Sequence, residues 1–189
     1  MRIIAGRHRG RPLAALGGGD AAAQLRPTSD RVRESLFNLL AHGPYGAPPP
    51  PEGRRVLDLF AGTGALGLEA LSRGAVQARF VENGAKALGL LRENIARLGA
   101  GEAARVLATD ATRLGPCPEA PFDLVFLDPP YRRGLGERAL AAAGRGGWLA
   151  PGALLVWEEA AAVLPPPGLT LLDARRYGDT MITLMRVSA

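Results

Sequence analysis

A short stretch near the middle of the chain could do chemistry on a nucleobase. Residues 122–127, Phe-Asp-Leu-Val-Phe-Leu, lead directly into Asp128-Pro129-Pro130-Tyr131. Two successive prolines hold the backbone in an extended bend and carry no N–H, which leaves the carbonyls around Pro129 open as acceptors. The Asp128 carboxylate and a proline carbonyl are then the two acceptors that an exocyclic NH₂ requires. Drawing on both hydrogens reduces the amine's conjugation with its ring and aims its lone pair at an electrophilic methyl group, while Tyr131 can stack on the base. Such an in-line displacement works by positioning and by stabilising positive charge on nitrogen. It needs no covalent intermediate, and Cys117 has no part in it.

The methyl donor has its own signature. Residues 56–60 are an apolar run interrupted by Asp58, followed by Gly62-Thr63-Gly64-Ala65-Leu66-Gly67 and a helical pattern in Leu66, Ala70 and Leu71. Strand, glycine turn and helix open a βαβ unit whose backbone amides can approach a ligand closely. A carboxylate inside an apolar strand costs free energy unless it meets a donor or a cation, and an amino-acid ammonium would serve. Glu82 ends the next apolar run, where a carboxylate can grip ribose hydroxyls. Amino acid plus ribose fits S-adenosylmethionine better than NAD. Asp110, after a third run at 105–108, either reaches an adenine amine or caps a surface loop.

The elements that must position these groups alternate. Helices are predicted over 85–98 (Leu88, Leu91, Ile95 and Leu98 inward) and 135–143, and strands over 105–108, 122–127 and 153–157. Residues 169–174 and 181–187 form a closing hairpin around Tyr177-Gly178-Asp179. The fold class is α/β: a Rossmann-like seven-stranded, mostly parallel sheet with helices on both faces, a C-terminal antiparallel hairpin and a small basic N-terminal β-hairpin extension. Residues 1–24 read as a basic arm and 25–189 as the catalytic domain, with Gly17-Gly18-Gly19 as a flexible joint. In the segment 28–40, Thr28, Ser29 or Asp30 caps a helix with Val32, Leu36, Leu39 and Leu40 inward and Arg31, Glu34 and Asn38 outward. The proline-rich stretch 43–53 is a linker.

Charge is distributed unevenly. The net charge is +5 over 189 residues, yet residues 1–33 hold seven arginines against Asp20 and Asp30, and the remainder is balanced. Arg2, Arg7, Arg9, Arg11, Arg26, Arg31 and Arg33 therefore read as an RNA-binding footprint. Lys86 is the one lysine, a bias that either suits phosphate recognition or reflects a GC-rich or heat-adapted source. A lone cysteine excludes an internal disulfide, and His8 and His42 lie apart without an acidic cluster, so no metal is expected. No long apolar run or signal-peptide pattern occurs, which points to the cytoplasm and no membrane.

Both motifs look like those of class I S-adenosylmethionine-dependent methyltransferases acting on exocyclic amines. Met1 to Gly6, Arg9-Gly10-Arg11, Arg26-Pro27-Thr28, Asp30 to Glu34, Leu36-Phe37-Asn38, Leu57 to Gly64 and Tyr177 to Thr180 more closely resemble the RsmD family. The resemblance implies methyl transfer to the N2 amine of one guanine in 16S ribosomal RNA, within assembled or partly assembled small subunits; a monomer is expected. It also implies that Asp58, Gly62 and Gly64 hold the methionine end of the cofactor, Glu82 the ribose, Asp110 and Ala111 the adenine, and Asp128, Pro129, Pro130 and Tyr131 the guanine. Phe60, Thr63 and Asn83 belong to the same cofactor site, and the segment 26–33 lines the entrance. Spacing alone also permits an adenine-N6 methyltransferase on RNA or DNA. A glutamine methyltransferase usually has Asn in place of Asp128. A catalytically silent RNA-binding assembly factor is the alternative from another class, against which the intact Asp58, Glu82 and Asp128 argue.

Overall fold

The computed structural model describes residues 1–14, 29–131 and 133–188. In chain order it contains α1 (Asp30–His42), β1 (Arg55–Leu59), α2 (Ala65–Ser72), β2 (Gln77–Glu82), α3 (Ala85–Leu98), β3 (Ala104–Ala108), a 3₁₀ turn (Ala111–Arg113), β4 (Phe122–Leu127), α4 (Leu135–Arg145), β5 (Leu149–Glu159), β6 (Leu169–Tyr177) and β7 (Thr180–Val187). One seven-stranded sheet runs in the order β3-β2-β1-β4-β5-β7-β6. β7 is antiparallel to both of its neighbours, and the other pairings are parallel. Strand order reverses between β1 and β4, so the loops after these two strands face one crevice.

Strand alternation sorts the side chains into two cores. Val56, Phe80, Phe126 and Val156 pack with Leu36, Phe37 and Leu40 of α1 and Leu68 and Leu71 of α2. Leu57, Leu59, Val125, Leu127 and Trp157 pack on the other face with Ala139, Leu140 and Ala143 of α4. β5 begins before the expected 153 because the sheet absorbs Pro151-Gly152: Gly152 takes φ 74° and the β4–β5 register shifts between Phe122 and Leu124. A Pro-Gly pair ends a strand in sequence terms, but an irregularity of this kind accommodates it. No helix among the described residues is long and apolar enough to cross a membrane.

The N-terminal segment corrects two expectations. It is not an arm that moves on the core, since Ile3 and Leu13 are buried in the same cluster as α1 and α2, and Arg2 bridges Pro12 across the turn. Glu69, fully buried on α2, fixes it: its Oε2 accepts from the Ile4 amide at 2.8 Å and its Oε1 from the Ala5 amide at 3.0 Å. The Arg73 guanidinium adds a 2.7 Å bond to Glu69 and lies over the Phe37 ring. Arg33 completes the hub. It is also fully buried, with Nε 3.6 Å from Glu69 and Nη2 donating to Asp30 and to the Arg2 carbonyl. Its placement withdraws Arg33 from the RNA-binding set, because a guanidinium sealed among these partners has no surface to offer a phosphate. The joint at 17–19 and Arg26 lie outside the described residues.

Removing Glu69 by Glu69→Ala leaves the buried Arg33 with Asp30 as its remaining carboxylate and two amides without acceptors. The expected loss is about 3–5 kcal/mol by chemical denaturation, with faster amide exchange in residues 1–14 than in β1. A loss below about 1 kcal/mol would show that the hub is dispensable.

Candidate active site

The glycine loop is shaped by its backbone and clamped by two acids. Phe60, just past β1, takes φ 61°, a left-handed conformation that costs a non-glycine residue about 1–3 kcal/mol and persists only where the surroundings enforce it. Gly64 caps α2 at φ 81° with no side-chain bond, which leaves the first amides of the helix facing the loop. A Cβ at Gly67 would fall 2.4 Å from the Phe80 ring, so only glycine lets α2 sit this close to β2. The buried Asp58 takes the Gly67 amide on Oδ2 at 2.9 Å. Burial, reinforced by the nearby Glu82 charge, outweighs that one bond and pushes the Asp58 carboxyl up to about 8. Glu82 accepts from the Gly62 amide at 2.8 Å on Oε2 and from the Asn83 and Gly84 amides at 2.9 and 2.7 Å on Oε1.

Sequence reasoning missed Asn94, which joins this loop to the N-terminal segment. Its Nδ2 donates to the carbonyls of Thr63 and Ala14, and its Oδ1 accepts from the Ala14 amide. A buried amide on the inward stripe of α3, between Leu91 and Leu98, was the available signal. Asp110 caps the 3₁₀ turn that starts at the buried Ala111, with Oδ1 accepting from the Thr112 amide and hydroxyl. These bonds, the amide foremost, hold its carboxyl below the usual range. The capping reading of Asp110 thus holds for one oxygen, and Oδ2 makes no hydrogen bond among the described residues.

At the tip of β4, the partly buried Asp128 donates its amide to the Leu59 carbonyl at 3.4 Å, which carries the β1–β4 pairing one step past the strand end. Burial first, then the charges of Glu158, Asp58 and Glu159, raises its carboxyl well above the ordinary carboxylate range. Alternation explains the crowding: Asp58, Asp128 and Glu158 each stand two residues beyond a member of the α1-side core, Val56, Phe126 and Val156. Glu158, buried at the end of β5, was also missed, although an acid closing a buried strand repeats the pattern of Asp58 and Asp128. It accepts from the Tyr131 hydroxyl at 3.3 Å, and Thr180 Oγ1 lies 3.5 Å from the same hydroxyl. Burial pushes the Tyr131 phenol up to about 12. Tyr131 and Glu158 form the inner wall of a cavity of about 690 Å³ between the first turn of α1 and the β6–β7 turn, with Arg31 and Arg176 on its exposed border.

The exposed arginines separate into two ends of the molecule. Arg31 borders the cavity, and Arg2 lies 3.9 Å from Asp30 at the start of α1. Arg7 donates to the Leu71 carbonyl and Arg11 to the Arg97 carbonyl, at the C-terminal ends of α2 and α3. Cations there satisfy orphan carbonyls and the helix dipole, at the end of the sheet opposite the strand tips that carry Asp58 and Asp128. Arg9 is exposed on the turn between them.

The chain matches the family described as "Conserved hypothetical protein 95" over residues 1–186. It is 44% identical over 159 residues to ribosomal RNA small subunit methyltransferase D of Escherichia coli K12, covering 84% of this chain and 74% of that protein. The protein of the same name from Haemophilus influenzae is 38% identical over 183 residues, covering 94% and 89%. The solved structure of yhhF from Escherichia coli, a candidate methyltransferase, superposes with a TM-score of 0.81 at 39% identity, covering 100% of this chain and 98% of that one.

The raised Asp58 carboxyl carries a stability signature. The folded protein holds this proton to about pH 8, whereas the unfolded chain releases it near 3.8. The folded state's advantage is therefore complete at acid pH and is lost as pH rises toward 8, by about 1.4 kcal/mol per unit. Asp58→Asn removes the titration and keeps an acceptor for Gly67. Denaturation of wild type between about pH 5.5 and 8 is expected to show a loss roughly 3 kcal/mol greater than in the variant. Parallel profiles would mean that Asp58 is ionised throughout.

Proposed function

The chain belongs to the RsmD family, and from that membership we propose that it transfers a methyl group from S-adenosylmethionine to the N2 amine of a guanine in 16S ribosomal RNA. Its substrate in this reading is the assembled or partly assembled small subunit. The names of its relatives support an RNA methyltransferase, and the reversal of strand order between β1 and β4 supports the chemistry. That reversal is the observation that carries the reading: it sets the tip of β4, with Asp128, beside the glycine loop that follows β1.

The residues fit the cofactor. Asp58 is a buried acid with one hydrogen bond and a raised proton affinity, which an ammonium at the Gly62-Thr63-Gly64 turn would relieve. Phe60 and Thr63 shape that turn, Glu82 and Asn83 face the ribose, and Asp110 Oδ2 with the backbone of Ala111 faces the adenine amine. Bound there, the cofactor supplies an electrophilic methyl group. Asp128 and the Pro129 carbonyl accept the two hydrogens of the guanine amine and orient its lone pair. As positive charge develops on nitrogen, the Asp128 carboxylate neutralises it, and its raised proton affinity suits it to take the proton that the methylated amine gives up. Tyr131, its hydroxyl held by Glu158 and Thr180, offers a fixed ring to the base.

Electrostatic attraction for RNA is assigned in this reading to the cavity border. Arg31 and Arg176 flank the entrance and Arg2 stands near it, while Arg7 and Arg11 serve helix ends on the far side.

Asp128→Ala is expected to lower the methylation rate on undermethylated small subunits at least about 100-fold. Calorimetric affinity for S-adenosylhomocysteine should stay within about threefold; an unchanged rate would remove Asp128 from the mechanism. Arg31→Ala and Arg176→Ala should each weaken small-subunit binding and reduce its log–log salt slope by about one. Arg7→Ala should leave the slope unchanged, and a slope loss confined to Arg7→Ala would move the RNA face to the opposite end.

A further inference from the structure

We infer that Glu158 is the residue that selects guanine: its carboxylate accepts the N1–H of the target base while Asp128 and the Pro129 carbonyl hold the adjacent N2 amine. The assignment rests on the guanine-N2 reading above and adds to it the group that reads the base. Backbone register carries the argument. Leu127 of β4 pairs with Trp157 of β5, so the next residues, Asp128 and Glu158, stand level at the tips of adjacent parallel strands, about 4.8 Å apart. Leu127 and Trp157 point into the α4-side core, which turns Asp128 and Glu158 together to the opposite face. There Glu158 forms part of the cavity wall with Tyr131, the proposed stacking ring, and is joined to its hydroxyl at 3.3 Å. The influence of Glu158 on the Asp128 carboxyl, second only to burial, agrees with that closeness.

The chemistry of base edges then separates the purines. Guanine presents two neighbouring donors, N1–H and N2–H₂, and a pair of ionised carboxylates, the state that such donors favour, presents only acceptors. Adenine presents its amine beside a bare N1 lone pair, which would face the Glu158 carboxylate acceptor to acceptor. A carboxylate offers several lone-pair sites, so accepting from Tyr131 does not prevent Glu158 from taking a second donor. Asp128 alone, with the proline carbonyl, is satisfied by any exocyclic amine. Discrimination therefore needs a second acceptor beside it, and a site built to bond a donor rejects the analogue that lacks it.

The test uses small subunits reconstituted with either guanosine or 2-aminopurine riboside at the modified position, found by mass mapping. 2-Aminopurine keeps the amine and lacks N1–H. Wild-type protein is expected to methylate guanosine at least about 100-fold faster in kcat/KM. In Glu158→Gln an amide N–H can meet the bare N1, and the preference should fall at least tenfold. Tyr131→Phe removes the hydroxyl and keeps the carboxylate, and should slow both substrates while preserving the preference. Comparable wild-type rates on the two substrates, measured without any variant, would overturn the assignment. So would an unaltered preference in Glu158→Gln, or an equal loss of preference in Tyr131→Phe, which would leave Glu158 only holding the tyrosine. A product other than N2-methylguanosine would overturn the guanine-N2 reading itself, and the assignment with it.

Discussion

Three carboxylates on one face of three adjacent strand tips are the constraint around which this molecule is arranged. Alternation along β1, β4 and β5 leaves no choice: once Val56, Phe126 and Val156 enter the α1-side core, Asp58, Asp128 and Glu158 must emerge on the same side. Burial and like charge then act together, which is why the Asp58 and Asp128 carboxyls hold their protons so far above the ordinary range. Such a cluster destabilises the unliganded fold and is tolerated because two apolar cores on either side of the sheet supply the compensating burial. For Asp58 and Asp128 relief would come from hydrogen donors and cations brought from outside, so the energetic defect and the binding capacity are one feature.

Acids elsewhere in the chain are treated differently. Glu69 is as deeply buried as Asp58, yet two backbone amides and two guanidiniums converge on it. Burial pushes Glu119 up, but hydrogen bonds from Gln77, Arg79 and Arg55 more than reverse the effect. Asp128 has no hydrogen bond to its carboxylate among the described residues. The contrast separates acids that hold the fold together from an acid held ready for something else, and it does so by partners rather than by burial.

Much of this was legible in the sequence, and the failures have common causes. Apolar runs located β1, β4 and the glycine loop, and a strand followed by Asp-Pro-Pro-Tyr located the end of β4, because these signals are local. Counting charge in residues 1–33 could not say where each guanidinium ends. Arg33 falls on the inward face of α1, where Val32 was expected, and there meets Glu69, a partner thirty-six residues away. Arg7 and Arg11 reach carbonyls at helix ends sixty or more residues distant. Glu158 and Asn94 escaped notice for the same reason: one acid or amide in an apolar pattern gains meaning only when the sheet order names its neighbours.

The division of labour between elements follows from the same geometry. β1, α2 and β2 build the glycine loop and its clamps from residues close in sequence, as any doubly wound sheet does. The cavity beside Tyr131 is built otherwise, from the first turn of α1, which precedes the first strand, and the turn between the last two strands, β6 and β7. α1 is held there by the core packing of Leu36, Phe37 and Leu40 and by Arg33 and Glu69, which tie it to α2 and to residues 2–5. The buried Arg33–Glu69 pair thus helps to position the first turn of α1 on one side of the cavity, and the hairpin that closes the sheet supplies the other side. The docked N-terminal segment contributes to this site by helping to hold α1 in place.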